Sequence, residues 1–445
     1  MSTSLLYHAF GLRGYRYRRT AYVGGQIIFG VEPAEGQLRC GHCGGEDVQR
    51  AGRVPRRFRT MPIGGKVVTV ELAVPRLWCA GCGRTRQIHL NFADPRRRHT
   101  HAFERYALDL SRHMTIQAVA QHLQASWDVI KDIQKRHLQR RFKRIRLKGL
   151  RQIAIDEIAV GKGHRYMTVV LDLESGAVVF IGEGKGADAL DPFWKKLRAS
   201  GARIEAVASD MSAAYLLAIG ENLPDAVHVL DRFHVMKLFN EKLSNLRRDI
   251  QRQAETKEQK QVIKGTRWLL LKNPDNLNED RSERQRLDEA LRLNEPLSTA
   301  YYLKEDLRRF WEQTSRRTAE RFLDDWLARA EASGVAMLRR FARTLRLHRR
   351  SLLNWYVYPI STGPLEGTNN KIQTMKRQAY GYRDAEFFRL KIYALHEATY
   401  ALVRQRGFGS SDCLLRVDNS FRQRHLKETE HGRSTNRSIA AGYSA

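Results

Sequence analysis

Three carboxylates in this sequence stand where they could hold metal ions. Asp156 and Asp210 each end an apolar, strand-like run, and Glu366 opens a helical, basic segment at 362–384. Carboxylates on two strand ends and a late helix can converge on two divalent cations, Mg²⁺ or Mn²⁺. Such a pair can clamp the attacking and leaving oxygens of a phosphodiester. In so basic a chain, the three acids predict an enzyme that cuts or joins nucleic acid.

Each of these acids also has a plainer interpretation. A single Asp at a strand end is usually a turn former or helix cap, and a Glu in a first helical turn complements the helix dipole. Pro364 supports that position for Glu366. The metal interpretation is favoured because Glu366, Asn370, Gln373 and Arg377 share one helical face. Since amide and guanidinium donors suit a phosphodiester backbone, we expect the last three to contact DNA.

The net charge points to a polyanionic partner. The chain has 445 residues, with 78 Lys and Arg against 48 Asp and Glu, a net charge of +30. Residues 1–150 hold 28 of the basic and 10 of the acidic side chains, so +18 of that charge lies in the first third. Phosphate contacts release condensed counterions and favour such a field. We therefore expect double-stranded DNA as the partner, rather than a small-molecule substrate.

Four of the five cysteines form two Cys-x-x-Cys pairs. Cys40 and Cys43 make the first, Cys79 and Cys82 the second, and Cys413 stands alone. Four thiolates in two glycine-containing knuckles predict one structural Zn²⁺ in a zinc ribbon, although the 35 intervening residues exceed the usual spacing. The alternatives are redox dithiols or free thiols. A metal would stabilise the poor core of a small β-rich module at residues 1–95.

The next segment predicts a helix-turn-helix. Apolar periodicity gives helices at 102–112 and 115–123, and Ser126 caps a third after a short turn. The third helix offers an outer face that could read base edges in the major groove, and the preceding linker could touch phosphates. An ordinary three-helix packing unit is the alternative. The predicted DNA contacts are Arg96, Arg97 and Arg98 in the linker and Trp127, Lys131, Gln134 and Lys135 on the helix.

From residue 152 the pattern changes to strands. Strands are predicted at 153–158, 166–173, 177–183, 204–209 and 226–230, with a helix at 187–199 before the fourth strand. Three strands, a helix, a strand, a helix and a strand describe a ribonuclease-H-like sheet. Asp156 lies on the first strand and Asp210 ends the fourth, and these strands can be neighbours in that topology.

A gap of 155 residues separates Asp210 from Glu366. No compact domain tolerates an unstructured loop of that length, so we expect an inserted all-α subdomain. The predicted fold is multidomain α+β, in which a ribonuclease-H-like α/β catalytic core is interrupted by that insertion. Its segments are a zinc ribbon (1–95), a helix-turn-helix (96–150), the core (151–240 and 351–408), the insertion (241–350) and a polar tail (409–445).

Several motifs resemble those of the ISL3 insertion-sequence transposases, a bacterial family. These motifs are Ala154-Ile-Asp-Glu157, Ser209-Asp-Met211, Asp231-Arg-Phe-His-Val235, Gly363-Pro-Leu-Glu-Gly-Thr-Asn-Asn-Lys371 and Arg377-Gln-Ala-Tyr-Gly-Tyr-Arg383. The resemblance spans nearly the whole chain, including the zinc-ribbon and helix-turn-helix segments. It implies a DDE transposase with Asp156, Asp210 and Glu366 as its acidic triad.

For such an enzyme we expect two-metal cleavage at the terminal inverted repeats, followed by strand transfer into target DNA. Asp156 is expected to bridge both ions, with Asp210 and Glu366 each holding one side. Asp231 and His234 are candidate auxiliary residues. For His234, a role in packing alone is expected at least as strongly as a role at the site. Because two ends must be held together, we expect a homodimer or larger synaptic complex.

The sequence contains no run of about 18 apolar residues and no signal-peptide pattern. We therefore expect no membrane partner, and a cytoplasmic, nucleoid-associated protein. Two other functions remain open at this stage. One is a transposase-derived DNA-binding regulator without catalysis, which an intact triad disfavours. The other is a structure-specific nuclease on the same fold, which dedicated sequence-reading modules disfavour.

Overall fold

The computed structural model describes residues 5–161, 163 and 165–396. The predicted tail at 409–445, the end of the segment 351–408 and Cys413 lie outside the described residues. Within the described part, no helix is both long enough and apolar enough to cross a membrane.

The N-terminal module is a small helix followed by a five-stranded sheet. Alternate residues of its central strand are buried, as a sheet with one covered face requires. The elements are α1 (Leu5–Phe10), β1 (Tyr15–Val23), β2 (Gln26–Pro33), β3 (Val48–Ile63), β4 (Lys66–Cys79) and β5 (Arg84–Gln87). The strands are ordered β1-β2-β4-β3, with β5 paired to β4.

A tight turn at Gly64 and Gly65 joins the two longest strands of this module. Both glycines have positive φ, 54° and 78°, which a two-residue hairpin turn demands and which glycine adopts without strain. The resulting β3–β4 hairpin returns the chain so that Cys79 pairs with Val48. The second cysteine pair is thereby brought back to the first, five residues before Val48.

Three capped helices follow: α2 (His101–Leu110), α3 (Ile116–His122) and α4 (Trp127–Phe142). The side chains of Thr100, Thr115 and Ser126 each accept a backbone N–H bond from the first turn, which fixes where each helix begins. The cap predicted at Ser126 is confirmed. The helices bury a common apolar cluster that includes Phe103, Val119 and Ile130.

The second sheet carries two of the three acids. The elements are β6 (Gln152–Gly161), β7 (Arg165–Asp172), β8 (Val178–Glu183), α5 (Asp191–Ser200), β9 (Ala206–Ser209), α6 (Ala213–Asn222) and β10 (Val227–Leu230). The strands lie where the sequence predicts them. Their order in the sheet is β10-β9-β6-β7-β8, with β6, β7 and β8 antiparallel and β9 and β10 parallel to β6.

Both faces of this sheet are covered, so β6 is buried on each side. Ile153 and Ile155 pack on one side with residues of α5 and α6. Ala154 and Ile158 pack on the other with Leu365, which belongs to a later helix. Since side chains alternate along a strand, Asp156 shares the face of Ala154 and Ile158.

After β10 the described chain is helical. A large apolar cluster joins these helices, with Phe239 and Phe341 in edge contact at 4.7 Å between ring centroids. The Nε1 of Trp326 donates to the Leu303 carbonyl at 2.9 Å. The helices are α7 (Arg232–Gln253), α8 (Lys257–Gly265), α9 (Glu283–Arg292), α10 (Glu295–Arg308), α11 (Arg316–Ala332), α12 (Ala336–Leu347), α13 (Arg349–Leu353), α14 (Gly363–Gln378) and α15 (Ala385–Tyr393).

Candidate functional site

The register between two parallel strands brings the first two acids side by side. Ala154 on β6 pairs with Ala208 on β9, and each acid follows two residues later on its own chain segment. Asp210 therefore comes directly after β9, whereas Asp156, predicted at a strand end, lies midway along β6, just beyond its pairing with β9. Helix α14, which carries Glu366 in its first turn, packs on the face of β6 to which Asp156 belongs.

The Asp156 carboxylate is nearly enclosed, with 13% of its side chain exposed. One oxygen accepts the Glu157 backbone N–H at 2.8 Å, and the other accepts Nδ2 of Asn369 at 2.9 Å. The pKa of Asp156 is raised to about 6, chiefly by burial and in smaller part by the nearby charges of Glu157 and Asp210, while His234 and the Glu157 N–H oppose the rise. A desolvated carboxylate among other acids is a position that favours a cation.

Two neighbouring acids add to this negative charge. Asp210 accepts the Ser212 backbone N–H at 2.9 Å, so it also starts the turn into α6. Glu157 lies on the opposite face of the strand and bonds to Tyr215 on α6. Burial and the charge of Asp210 both raise the pKa of Glu157. The surroundings of Asp156 are therefore locally acidic in a strongly basic protein.

A buried aspartate, Asp231, links the end of β10 to the helix of Glu366. Its side chain is 1% exposed and accepts the Thr362 backbone N–H at 3.1 Å. The Thr362 carbonyl in turn accepts the Glu366 backbone N–H at 2.8 Å. Asp231 also caps α7 by accepting the His234 backbone N–H at 3.3 Å. The start of α14 is thus held against the end of β10.

His234 stands between two of these acids. Its Nδ1 is 3.2 Å from Oδ2 of Asp231, and its Nε2 is 3.8 Å from Oδ1 of Asp156. Burial alone would lower the pKa of His234, but the bond to Asp231 and the charge of Asp156 raise it. The two residues predicted as auxiliary are therefore in contact with each other, and His234 lies next to Asp156.

Of the residues predicted to share a face of α14 with Glu366, one contacts the sheet and two are exposed. Gln373 donates from Nε2 to the Ala159 carbonyl at 2.8 Å, so it contacts β6. Asn370 and Arg377 are exposed. Sequence reasoning missed Asn369, whose amide bonds Asp156. The three- and four-residue steps from Glu366 through Asn369 to Gln373 are the signal that could have identified it.

The donor set suits a hard divalent cation, because carboxylate and amide oxygens are the ligands that Mg²⁺ and Mn²⁺ prefer. Asp156, Asp210 and Glu366 could hold such ions, since burial and the neighbouring acids destabilise the ionised form of Asp156 and a bound cation would offset that. Over residues 5–161, 163 and 165–396, the potential ligands that lie close enough together to share one ion are a different set, and the three acids do not form such a group.

The side chains close enough together to share one ion are those of Cys40, Cys43, Cys79 and Cys82. Their sulfur atoms all lie within 4.8 Å of one another, with Cys40 and Cys82 3.7 Å apart and Cys43 and Cys79 3.5 Å apart. A tetrahedron with Zn–S bonds of about 2.3 Å has edges of roughly 3.8 Å. The four thiols therefore fit one Zn²⁺.

Two backbone knuckles set this geometry. The Gly44 N–H donates to the Cys40 carbonyl at 2.9 Å, and the Gly83 N–H donates to the Cys79 carbonyl at 2.8 Å. Backbone N–H groups of Cys43 and His42 lower the pKa of Cys40 to about 6, which favours the thiolate that a metal needs.

The predicted outer face of α4 is not free, and this expectation is corrected. Gln134 is 5% exposed and donates from Nε2 to the Ser111 hydroxyl at 2.8 Å. Lys131 lies 3.1 Å from Asp384, and Lys135 lies 3.0 Å from Asp384 and 2.8 Å from Glu386. Helix α15 covers this side of α4, and the periodicity of α4 alone carries no information about that partner.

Trp127 remains 43% exposed at the start of α4. The predicted linker is partly packed, because Arg97 bonds Asp132 at 2.8 Å and the Arg98 carbonyl accepts the Arg59 N–H at 2.8 Å. The side chains of Arg96 and Arg98 are exposed. Linker, ribbon and helices therefore form continuous contacts.

Comparison with known proteins identifies the family. A family model for ISL3-type DDE transposases, described as a transposase, matches residues 153–392, which include all three acids. The chain is 35% identical over 390 residues to the transposase for insertion sequence element IS1001 of Bordetella parapertussis, covering 86% of this chain and 96% of that protein. The chain belongs to the ISL3 family of transposases.

Two further family models match the front of this transposase. A zinc-finger model of the IS204/IS1001/IS1096/IS1165 transposases covers residues 37–89, and a helix-turn-helix model of the ISL3 family covers residues 88–138. The first range contains the four clustered cysteines and the second contains α2, α3 and most of α4. The predicted zinc ribbon and helix-turn-helix are confirmed as domains.

The transposase is also 30% identical over 389 residues to the transposase for IS1557 of Mycobacterium tuberculosis, in strains CDC 1551 and H37Rv, covering 82% of this chain and 87% of that protein. Among solved structures, the Drosophila P element transposase strand transfer complex aligns with a TM-score of 0.30 and 12% identity. That alignment covers 56% of this chain and 78% of the other.

Proposed function

We propose that this transposase binds the terminal inverted repeats of its insertion sequence and performs two-metal-ion DNA cleavage and strand transfer. The observation that carries the proposal is the placement of Asp156 and Asp210 side by side on neighbouring chain segments of the sheet, with the helix of Glu366 packed against β6. A sheet of three antiparallel strands followed by two parallel strands supports a ribonuclease-H-like core. The helices of residues 241–350 are then an all-α insertion within it.

Asp156, Asp210 and Glu366 would hold two Mg²⁺ or Mn²⁺ ions, with Asp156 between them. When bound, the ions act as Lewis acids that activate a water and stabilise oxygens of the phosphodiester. The chain's own residues fix the arrangement: Asp231 holds the start of α14 through Thr362, and Asn369 holds one oxygen of Asp156. Preorganised ligands of this kind avoid reorganisation during the reaction.

The reaction proposed is an in-line displacement at phosphorus. In cleavage, a water oxygen forms the new P–O bond while the 3′-oxygen of the neighbouring nucleotide leaves. In strand transfer, that 3′-hydroxyl attacks a phosphodiester of target DNA and displaces another 3′-oxygen. Both steps exchange one P–O bond for another, so one site can serve both.

The DNA-binding surface is proposed from exposed basic, amide and aromatic side chains. The zinc ribbon and helix-turn-helix would recognise the element ends, and α14 would contact the strand being cut. A homodimer or larger synaptic complex would hold two ends together, with the insertion 241–350 as a candidate contact. The side chains proposed to touch DNA are Arg96, Arg98, Trp127, Asn370 and Arg377.

The test uses a duplex that carries the short imperfect inverted repeats flanking the gene. Asp156→Asn, Asp210→Asn and Glu366→Gln should each abolish cleavage in Mg²⁺ while end binding stays within a few-fold of the unaltered protein. Glu174→Gln is the matched control, because this exposed acid lies in the turn after β7 and should leave cleavage intact. Substantial cleavage by a folded triad variant would remove that residue from the site. End binding by the unaltered protein without cleavage in Mg²⁺ or Mn²⁺ would instead favour a DNA-binding regulator.

A further inference from the structure

Asn369 has a polar contact with the site that its neighbours on α14 lack. Its side-chain Nδ2 donates to Oδ2 of Asp156 at 2.9 Å. A carboxylate accepts hydrogen bonds and donates none when ionised, so the nitrogen of the amide, and not its oxygen, must bond to Asp156. The orientation of this amide is thereby fixed by chemistry.

The other end of the amide has no partner. Oδ1 of Asn369 is buried and accepts no hydrogen bond from the described part of the chain. Buried polar atoms are nearly always paired in native proteins, and an unpaired one is costly. Rotating the amide would not relieve this, because Oδ1 would then meet the carboxylate of Asp156. The missing partner must therefore be a hydrogen-bond donor or a cation.

Position limits what that partner is. Asn369 follows Glu366 by three residues on α14, so both side chains share a helical face. Its amide contacts Asp156, the acid whose burial raises its pKa. Amide oxygens are accepted ligands of hard divalent cations and accept hydrogen bonds from metal-bound water.

We propose that Asn369 is a fourth residue of the metal site, contacting the hydrated cation through Oδ1 while Nδ2 orients Asp156. The inference rests on the proposed function, since it assumes a divalent cation at Asp156. It assigns Asn369 a contact with the hydrated cation that the acidic triad does not include.

The experiment measures Mn²⁺ binding by calorimetry to the full-length, zinc-loaded protein without DNA. Asn369→Leu keeps the size of the side chain but removes both polar atoms, so affinity should fall at least tenfold, within the range seen when groups around a metal are removed. Asn369→Asp restores an oxygen and should bind Mn²⁺ at least as tightly as the unaltered protein. Thr374→Ala on the same helix, whose hydroxyl bonds only the Asn370 carbonyl, is the control and should leave affinity unchanged.

The variants separate contact from orientation. If Asn369→Asp loses as much affinity as Asn369→Leu, the oxygen does not contact the cation and the inference is overturned. The same conclusion follows if Asn369→Leu binds within twofold of the unaltered protein. A second readout is the Mn²⁺ concentration for half-maximal cleavage, which Asn369→Leu should raise by the factor found in binding, with the rate recovering at saturating Mn²⁺.

Failure of the proposed function looks different. If the unaltered protein binds no Mn²⁺, or if Asp156→Asn binds it equally well, the metal site itself is misassigned. If Asp156→Asn loses Mn²⁺ binding while Asn369→Leu keeps it, the metal site stands and only the role of Asn369 is overturned.

Discussion

At the scale of single residues, one buried carboxylate is destabilised in its ionised form by its surroundings. Asp156 is desolvated and lies near two further acids, and its pKa rises to about 6. The sequence could offer Asp156 and Asp210 as candidates, because each follows an apolar, strand-like run. The spacing of Asn369 after Glu366 indicates a shared helical face, but the contact of Asn369 and the approach of His234 to Asp156 depend on how α14 and α7 pack on the sheet.

The raised pKa predicts how metal-free stability depends on pH. The neutral form of Asp156 is favoured in the folded state, so its contribution to stability is complete below pH 4 and is lost as pH rises to about 6. The loss is on the order of 3 kcal/mol, from roughly two pKa units at 1.36 kcal/mol each. Asp156→Asn should therefore raise the melting temperature at pH 7 and have little effect at pH 4.

Thermal unfolding in EDTA-washed buffer, across that pH range, provides the measurement, with Glu174→Gln as the reference substitution. A difference between Asp156→Asn and the unaltered protein that does not change with pH would contradict the prediction. Adding Mg²⁺ should stabilise the unaltered protein and not the variant, because a ligand stabilises only the state that binds it.

At the scale of elements, helix ends were easier to predict than helix partners. Ser126 begins α4 as its hydroxyl chemistry predicts, and the strands of the second sheet follow apolar runs. The partner of α4 was not predictable, because the charged face of a helix looks the same whether water, DNA or another helix covers it. Here Lys131 and Lys135 pair with Asp384 and Glu386 of the α15 region.

This contact predicts a gain in DNA binding when the acids are neutralised. Asp384→Asn plus Glu386→Gln should free two lysines while keeping an N-cap residue at 384. Affinity for duplex DNA should rise. The slope of log affinity against log salt should steepen by about 0.9 for each new phosphate contact, and up to two such contacts are expected. Filter binding across a salt series measures both quantities.

A matched pair of substitutions controls for net charge. Asp324→Asn plus Glu331→Gln also removes two acids, which bond Arg349 and Arg346 at the surface far along the chain. If both double variants strengthen DNA binding equally, the effect is one of overall charge and α15 does not mask α4.

At the scale of the whole molecule, the modules proposed for recognition and the acids proposed for chemistry lie in separate parts of the chain. The four cysteines lie in the N-terminal sheet module, and the three acids lie in or beside the second sheet. The sequence predicted this order because Cys-x-x-Cys pairs and strand-end acids are local signals. The exposed faces available to DNA could not be predicted, because they are what remains after all elements have packed.

Loss of zinc should therefore affect recognition before chemistry. Cys40→Ser plus Cys79→Ser should reduce bound zinc from about one per chain, the stoichiometry of a four-thiolate site, to nearly none. End binding should weaken at least tenfold, while Mn²⁺ binding at the acids persists. Elemental analysis and calorimetry on the full chain measure both, with Cys413→Ser as the control. Unchanged zinc content in the double variant would refute the assignment.

The bond between Asp231 and Thr362 spans 131 residues of sequence, and this separation has a consequence during synthesis. Proteins emerge from the ribosome at about 5–20 residues per second, so the 155 residues between Asp210 and Glu366 take roughly 8–30 seconds. Throughout that interval the zinc-binding and helix-turn-helix domains are complete, whereas the third carboxylate does not yet exist. On the proposed function, a chain whose translation stops there would hold DNA without cutting it, and would compete with the finished enzyme for the same ends.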